Sequence, residues 1–463
     1  MDAISRLFGT LLGVLLFSGL LNQAAVAGPH IQSWTTPNGA RVLFVAAPDL
    51  PMVDVRVVFD AGSARDGAAA GLADMTNKLL NDGAGPWDAD QIAQRLEEVG
   101  AQLGLGSERD MAWVSVRTLT EADALARSIE TLATILAQPN FESDDFERTR
   151  KSMQTALRLG EQQPGTVAKR AFYRSLFGDH PYAIPSDGTQ ASLSAITRDQ
   201  VREFHRRYYV AGNALIAIVG AVSRAQAEQL ADRLTAGLSP GQPAAELPQV
   251  DQLLKMDQQW LQFPSSQSHI LMGQPGMQRG DPDYFVLYVG NHILGGSGLV
   301  SQLSEEVREK RGLSYSVYSY FAPMRRNGPF LVGAQTQNSK VQEAIDVMLA
   351  TLKRYIEQGP TEAELVAAKQ DITGGFPLRI ASNDKIVEYL AMIGFYRLPL
   401  DYLDKFVERV NAVTREQIHS TFQRRLNLDR FVTVVVGNGK TAQPEGERFA
   451  CCIIEQSDPH HRR

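Results

Sequence analysis

The chain has 463 residues but only two cysteines, Cys451 and Cys452, adjacent and near its end. Neighbouring cysteines cannot tie distant parts of a fold together, which excludes a disulfide framework and zinc-finger spacing alike. Excess basic charge is also missing. The net charge is −6, which gives no support for nucleic acid as a partner. Charged residues make up 21% and hydrophobic residues 44% of the chain, a balance that excludes a largely disordered protein. Long apolar runs are scarce. The one present, Leu7 to Leu21, has 15 residues, short of the roughly 20 a spanning helix needs. Arg6 precedes it and Ala25-Val26-Ala27 follows, the layout of a secretory signal peptide cleaved after Ala27. No cysteine near that point offers a lipid attachment site. Residues 1–27 are therefore read as a signal peptide, with an uncleaved anchor as the alternative, and the mature chain is expected to be exported without a stable membrane span once that segment is removed.

What is there reads as two similar halves, since this length exceeds one ordinary core. In the first, Arg41–Val45, the alternating Val53–Phe59, Ala112–Leu119 and Ala214–Val219 read as strands. Helices are expected at 72–81, at 90–100, along the stripe Leu125, Ile129, Leu132 and Leu136, from Ser143, and after the capping box at Thr197 and Gln200. The second half repeats the order. Its stripe is Val341, Ile345, Met348, Leu352 and Ile356, its capping boxes start at Thr361 and Thr414, and its last strand ends at Gly437. Thr197 and Thr414 are 217 positions apart, as are Gly220 and Gly437. That period is far too long for a solenoid and implies a duplicated domain. The expected class is α+β: two tandem homologous domains, each a mostly antiparallel sheet with helices on one face. The domains span 33–236 and 251–440. The Pro/Gly-rich stretch 237–250 between them reads as an exposed linker, and 441–463 as a poorly ordered tail.

The chemically suggestive stretch is Val307 to Tyr315. It reads as a charged helix end, a Gly312-Leu313 turn and the aromatic start of a strand. Arg308 and Tyr315 lie seven apart across the turn, so a guanidinium and a phenol can reach one side and grip a carbonyl or an oxyanion. An ordinary solvated helix face, with Glu306 and Lys310 as an i,i+4 pair, accounts for the same residues. Other candidates are weaker. Gly295-Gly296-Ser297-Gly298 follows a helix and lacks Gly-Lys-[Ser/Thr], so it reads as a helix stop and not as a phosphate loop. The helix before it is expected to start with Asp281 as N-cap and Pro282 at its first position. His180 reads as a loop hydrogen-bonder, His292 and His269 as half-buried packing, and His460-His461 as an adventitious metal pair.

Several stretches together resemble the zinc metallopeptidases of the pitrilysin/insulinase and mitochondrial-processing-peptidase type. They are Gly71-Leu72-Ala73, Gly178-Asp179-His180-Pro181-Tyr182, Tyr208-Tyr209 with Asn213, Asn291-His292-Ile293-Leu294-Gly295-Gly296, and Arg308 through Tyr315. In that family His-x-x-Glu-His follows Gly-Leu-Ala; the two His hold zinc and the Glu is the base. Here the position reads Asp74-Met75-Thr76-Asn77-Lys78, and the family's third ligand, a later Glu, aligns with Ala156. None of the eight histidines forms the motif elsewhere.

The resemblance thus implies a chain without zinc of its own, with Asp74, Lys78 and Ala156 as degenerate ligand positions and Asn77 as the degenerate base. In active relatives an Arg and a Tyr, seven apart, reach from the second half toward the zinc; Arg308 and Tyr315 match them. In exported bacterial members made of short chains, one subunit carries zinc and another this pair. The resemblance therefore implies a periplasmic, non-catalytic subunit that supplies Arg308 and Tyr315 in trans to a zinc-carrying partner acting on peptides or unfolded segments. Gly104 to Ser107 corresponds to a strand edge that pairs with extended peptide in active relatives. Two alternatives stand beside this: an autonomous metallopeptidase using atypical ligands such as Asp74, and a peptide-binding or scaffold protein with no enzymatic role.

Overall fold

The structure, a computed structural model, describes residues 28–438. The expected signal peptide, the tail, Cys451, Cys452 and His460-His461 lie outside the described residues. The strands of the two large sheets are β1 (Gln32–Thr35), β2 (Arg41–Ala46), β3 (Met52–Phe59), β4 (Gln102–Ser107), β5 (Ala112–Leu119), β6 (Ala214–Gly220), β7 (Asp257–Gln262), β8 (Gln267–Pro275), β9 (Ser314–Phe321), β10 (Pro329–Gln337) and β11 (Val432–Gly437). The helices are α1 (Leu72–Lys78), α2 (Ala89–Glu97), α3 (Ala122–Ala137), α4 (Ser143–Glu161), α5 (Pro164–Phe177), α6 (Gln190–Ala195), α7 (Arg198–Tyr208), α8 (Arg224–Thr235), α9 (Tyr284–Asn291), α10 (Val341–Gln358), α11 (Glu362–Arg379), α12 (Asn383–Phe395), α13 (Phe406–Ala412) and α14 (Arg415–Arg425). Among the described residues no helix is long and apolar enough to cross a membrane.

The chain forms two mixed α/β layers of the α+β kind. The first sheet runs β1-β2-β6-β3-β5-β4, and the second β9-β10-β8-β11-β7. Each is antiparallel apart from one parallel pair, β2 with β6 and β7 with β11. The capping boxes expected from sequence are formed: Thr197 with Gln200, Thr361 with Glu364, and Thr414 with Gln417 each exchange side-chain and backbone hydrogen bonds.

The expectation of helices on one face describes only half of each sheet. On one face of the first sheet, Val53, Val55, Val57, Val114 and Ile216 pack against the half's own helices, with Met75, Leu132 and Phe204. The opposite face carries Leu43, Val45, Val58, Leu215 and Ala217, and these belong to one apolar cluster with Val387, Leu390 and Ala391 of α12. The second sheet is covered reciprocally. Leu271, Leu331, Val432 and Val434 pack with Ala168, Phe172 and Leu176 of α5, a helix of the first half. Each half therefore covers one face of the other's sheet with one of its own helices. Glycine permits both close approaches: a Cβ on Gly394 would sit 2.5 Å from Leu215 Cδ2, and one on Gly273 would sit 3.2 Å from Phe172 Cζ. For the same reason β3 is buried on both faces, where its alternation predicts a half-buried strand. Each large apolar side chain so buried contributes roughly 1.5–3 kcal/mol.

The stretch between the halves is also not simply exposed. Leu238, Leu247 and Val250 are buried. Arg326 Nε donates to the Leu247 carbonyl at 2.7 Å, His180 Nε2 bonds the Pro248 carbonyl at 3.1 Å, and Gly212 N–H donates to the Pro240 carbonyl at 2.6 Å. A segment without apolar period is thus pinned by its backbone, which composition does not reveal.

Candidate functional site

The position of the family's zinc motif lies on α1. Gly71 opens this helix at φ 91°, in the left-handed region that suits glycine. Asp66 caps it with both carboxylate oxygens, accepting from Gly71 N–H at 2.7 Å and Ala73 N–H at 2.8 Å. Burial pushes the Asp66 carboxyl up to about 8, against the pull of those two N–H groups. On the next turn Asp74 and Lys78 form an i,i+4 ion pair. Burial raises the Asp74 carboxyl and the Lys78 ammonium opposes it. Asn77 is buried, and its amide donates to the Trp113 carbonyl at 3.3 Å and to the Tyr209 phenol oxygen at 3.4 Å. Ala156, on α4, is exposed and offers only a methyl group.

This donor set does not suit a zinc ion. Its one carboxylate is joined to an ammonium, its amide is engaged by neutral partners, and the third position has no donor atom. Among the described residues, no three His, Cys, Asp or Glu side chains are grouped so that they could hold an ion.

The stretch carrying Arg308 is not an α-helix end. Ser304–Glu309 is wound as a π-helix, with the Lys310 N–H reaching back to the Glu305 carbonyl at 2.9 Å. Glu306 is bonded to match. Its main-chain carbonyl, which an α-helix would give to Lys310, accepts from the Arg311 guanidinium at 2.8 Å, and its carboxylate accepts from the same group at 2.6 Å. Lys310 and Arg354 lie 3.0 Å and 3.3 Å from that carboxylate. The Arg311 hydrogen bond, with help from Lys310 and Arg354, holds the Glu306 carboxyl down at about 2. The expected i,i+4 pair is therefore present, as part of a larger cluster.

The chain then turns at Gly312, φ 60°, whose N–H donates to the Arg308 carbonyl at 2.8 Å. β9 begins with a bulge between Ser314 and Ser316. This leaves Tyr315 out of the ladder and 87% exposed. Arg308 is about one-third exposed and lies 3.4 Å from Glu309. The structure thus holds Arg308 and Tyr315 on one tightly bonded turn, at the edge strand of the second sheet.

The helical run ends among the neighbouring glycines, at Gly296, with Gly298 at φ 65°, as the sequence predicts. α9 starts at Tyr284, two residues later than expected, although Asp281 does accept from the Asp283 N–H at 2.9 Å, the bond expected of an N-cap. It passes into a second π-helical turn, His292–Gly296. A Cβ on Gly295 would lie 2.6 Å from Ser319 N of β9, so this glycine serves close packing of helix on strand. His292 is more than packing: its Nε2 lies 3.0 Å from Asp371. His180 is the loop hydrogen-bonder expected, also accepting from the Tyr182 N–H at 3.1 Å. Gly104 to Ser107 falls in β4, the edge strand of the first sheet.

Residues 41–190 match the family described as Insulinase (Peptidase family M16), and residues 195–372 the one described as Peptidase M16 inactive domain. A solved structure of a peptidase M16 inactive domain from Pseudomonas fluorescens superimposes with a TM-score of 0.86 at 39% identity, covering 89% of this chain and 100% of that one. An uncharacterized zinc protease of Mycobacterium leprae is 28% identical over 435 residues, 90% of this chain and 94% of its own. A non-peptidase homolog from Helicobacter pylori is 26% identical over 398 residues, 84% of this chain and 90% of its own. The chain belongs to peptidase family M16, the pitrilysin and insulinase type, and lacks that family's zinc motif.

Proposed function

We propose that this chain is the non-catalytic member of an exported, heteromeric M16 peptidase. In this reading it binds no zinc itself and places Arg308 and Tyr315 into the active site of a zinc-carrying homologue. There the guanidinium and the phenol bind the peptide substrate and steady the oxyanion of the tetrahedral intermediate. The observation that carries the reading is the contrast between the halves. Asp74, Asn77 and Lys78 are tied to each other and to neutral groups, while the Tyr315 phenol stands 87% exposed beside a hydrogen-bonded turn. The names of the M16 inactive-domain family and of the Helicobacter pylori homolog support a subunit without its own peptidase activity. The shared element order of the two halves supports an internal duplication, and the N-terminal residues support export to the periplasm.

A scaffold reading has one observation in its favour: Arg308 already lies 3.4 Å from Glu309, a contact it must give up to bind substrate. The test is reconstitution. The chain is mixed with a zinc-carrying homologue and peptide cleavage is compared for wild type, Tyr315→Phe and Arg308→Ala. Activity only in the mixture, lost in both variants, supports the proposal. Activity of this chain alone supports an autonomous peptidase, and a mixture insensitive to both substitutions supports a scaffold.

A further inference from the structure

The Arg279 guanidinium stands where three cavities meet. Its Nε is buried and, among the described residues, has no hydrogen-bond partner. A buried donor on a permanently charged group is normally paired in a native structure. The nearest aromatic support is Tyr396, whose ring centroid lies 5.6 Å from the guanidinium carbon; a ring face steadies a cation without neutralising it.

One of the three cavities, about 510 Å³, is a groove between α9, the end of α11 and α12. Tyr284, Tyr288, Tyr389 and Tyr402 line it. Tyr284 and Tyr288 stack within 4° of parallel. Two further cations face the groove. Arg379 donates to the Tyr288 phenol at 2.7 Å, and Lys385 to the Leu378 carbonyl at 2.9 Å, so both are held by neutral oxygens. The one carboxylate lining the groove, Glu388, is paired with Arg56 of β3 at 3.1 Å. On a chain of net charge −6, this groove is cationic and walled by tyrosine.

We propose that the groove binds an acidic segment of a peptide, with a side-chain carboxylate received by Arg279. Arginine takes a carboxylate in a two-pronged, charge-assisted hydrogen bond. Tyrosine gives broad contact at low entropic cost and bonds a peptide backbone through its hydroxyl. Leu378, 70% exposed at the rim, adds an apolar contact. A small inorganic anion would satisfy the cations but make no use of the tyrosine wall or of Leu378. The proposal does not depend on a role for Arg308 or Tyr315.

The probe is a fluorescein-labelled synthetic peptide of alternating Glu and Gly, with the same peptide carrying Gln as control, followed by anisotropy on the full protein at low salt. The Glu peptide is expected to bind about tenfold or more tightly than the Gln peptide, and Arg279→Gln to lose about tenfold, with affinity falling as salt rises. Lys385→Gln, on the exposed rim, carries the same test with a smaller loss should Arg279→Gln fail to fold. Equal binding of the two peptides overturns the proposal. So does unchanged affinity in the variants, no binding by wild type at low salt, or displacement of the peptide by an equal concentration of inorganic phosphate.

Discussion

Asp110 of the first half accepts a hydrogen bond at 2.9 Å from the phenol of Tyr396 in the second, across 286 positions of chain. The same carboxylate accepts from the Tyr182 phenol at 2.6 Å and the Arg325 N–H at 2.7 Å. Tyr182 in turn accepts from the Arg326 N–H at 3.0 Å. Nearby, Asp60 pairs with Arg65 at 2.7 Å and with Arg325 at 3.2 Å. These bonds fix the two halves against each other around a buried polar node.

Replacing Asp110 by Ala leaves two phenols and a backbone N–H without their acceptor. Stability measured by denaturant unfolding should fall by about 3 kcal/mol or more. A loss under about 1 kcal/mol would show that water takes over the role.

Phe172→Ala removes a fully buried ring of α5, at a cost of about 3–5 kcal/mol. Because the ring packs on Gly273 of β8, hydrogen exchange should quicken in β8 and β11, in the other half of the chain. Faster exchange restricted to the first half would contradict the reciprocal covering of the sheets.

Glu306 sets a pH dependence. Its folded carboxyl is held down from 4.5 to about 2. It therefore contributes stability that is fully present above about pH 5 and lost as pH falls through 4.5 toward 2. Glu306→Gln should flatten the unfolding profile across that window. A variant that loses stability between pH 5 and 2 as steeply as wild type would rule out this cluster as a source of the slope.

Purified protein dialysed against metal-free buffer should retain no stoichiometric zinc by elemental analysis. One zinc per chain would mean that Asp74 breaks from Lys78 and finds further ligands.

Tyr315→Phe should leave thermal stability within about 0.5 kcal/mol of wild type, since the phenol is exposed. The peptidase activity of the reconstituted mixture should nevertheless fall roughly a hundredfold. A parallel loss of stability and activity would point to a structural role instead.

The elements that carry apolar stripes or capping boxes were legible in the sequence, because those signals are local, whereas β1, α5, α8 and α12 were not read from it. Thr197, Thr361 and Thr414 cap the helices their spacing predicts. Two kinds of feature escaped it. In the π-helical turn Ser304–Glu309 the Glu306 carbonyl and carboxylate are taken by Arg311, and charge spacing alone cannot distinguish that from an i,i+4 pair. The outer faces of the sheets looked half-exposed because their cover comes from a helix far away in the chain. Asp110 and Arg279 gave no signal either, since each matters through partners drawn from both halves or from several elements. A hint of the groove was legible in Tyr284 and Tyr288, four apart on one helix face.

With α5 lodged on the far sheet and α12 lodged on the near one, the polypeptide is clasped like two hands with crossed thumbs. A gene truncated around residue 240 would yield a fragment whose own sheet is bare on one side and whose stray helix has nothing to sit on. For the same reason the two halves cannot swing apart without stripping a helix from each sheet.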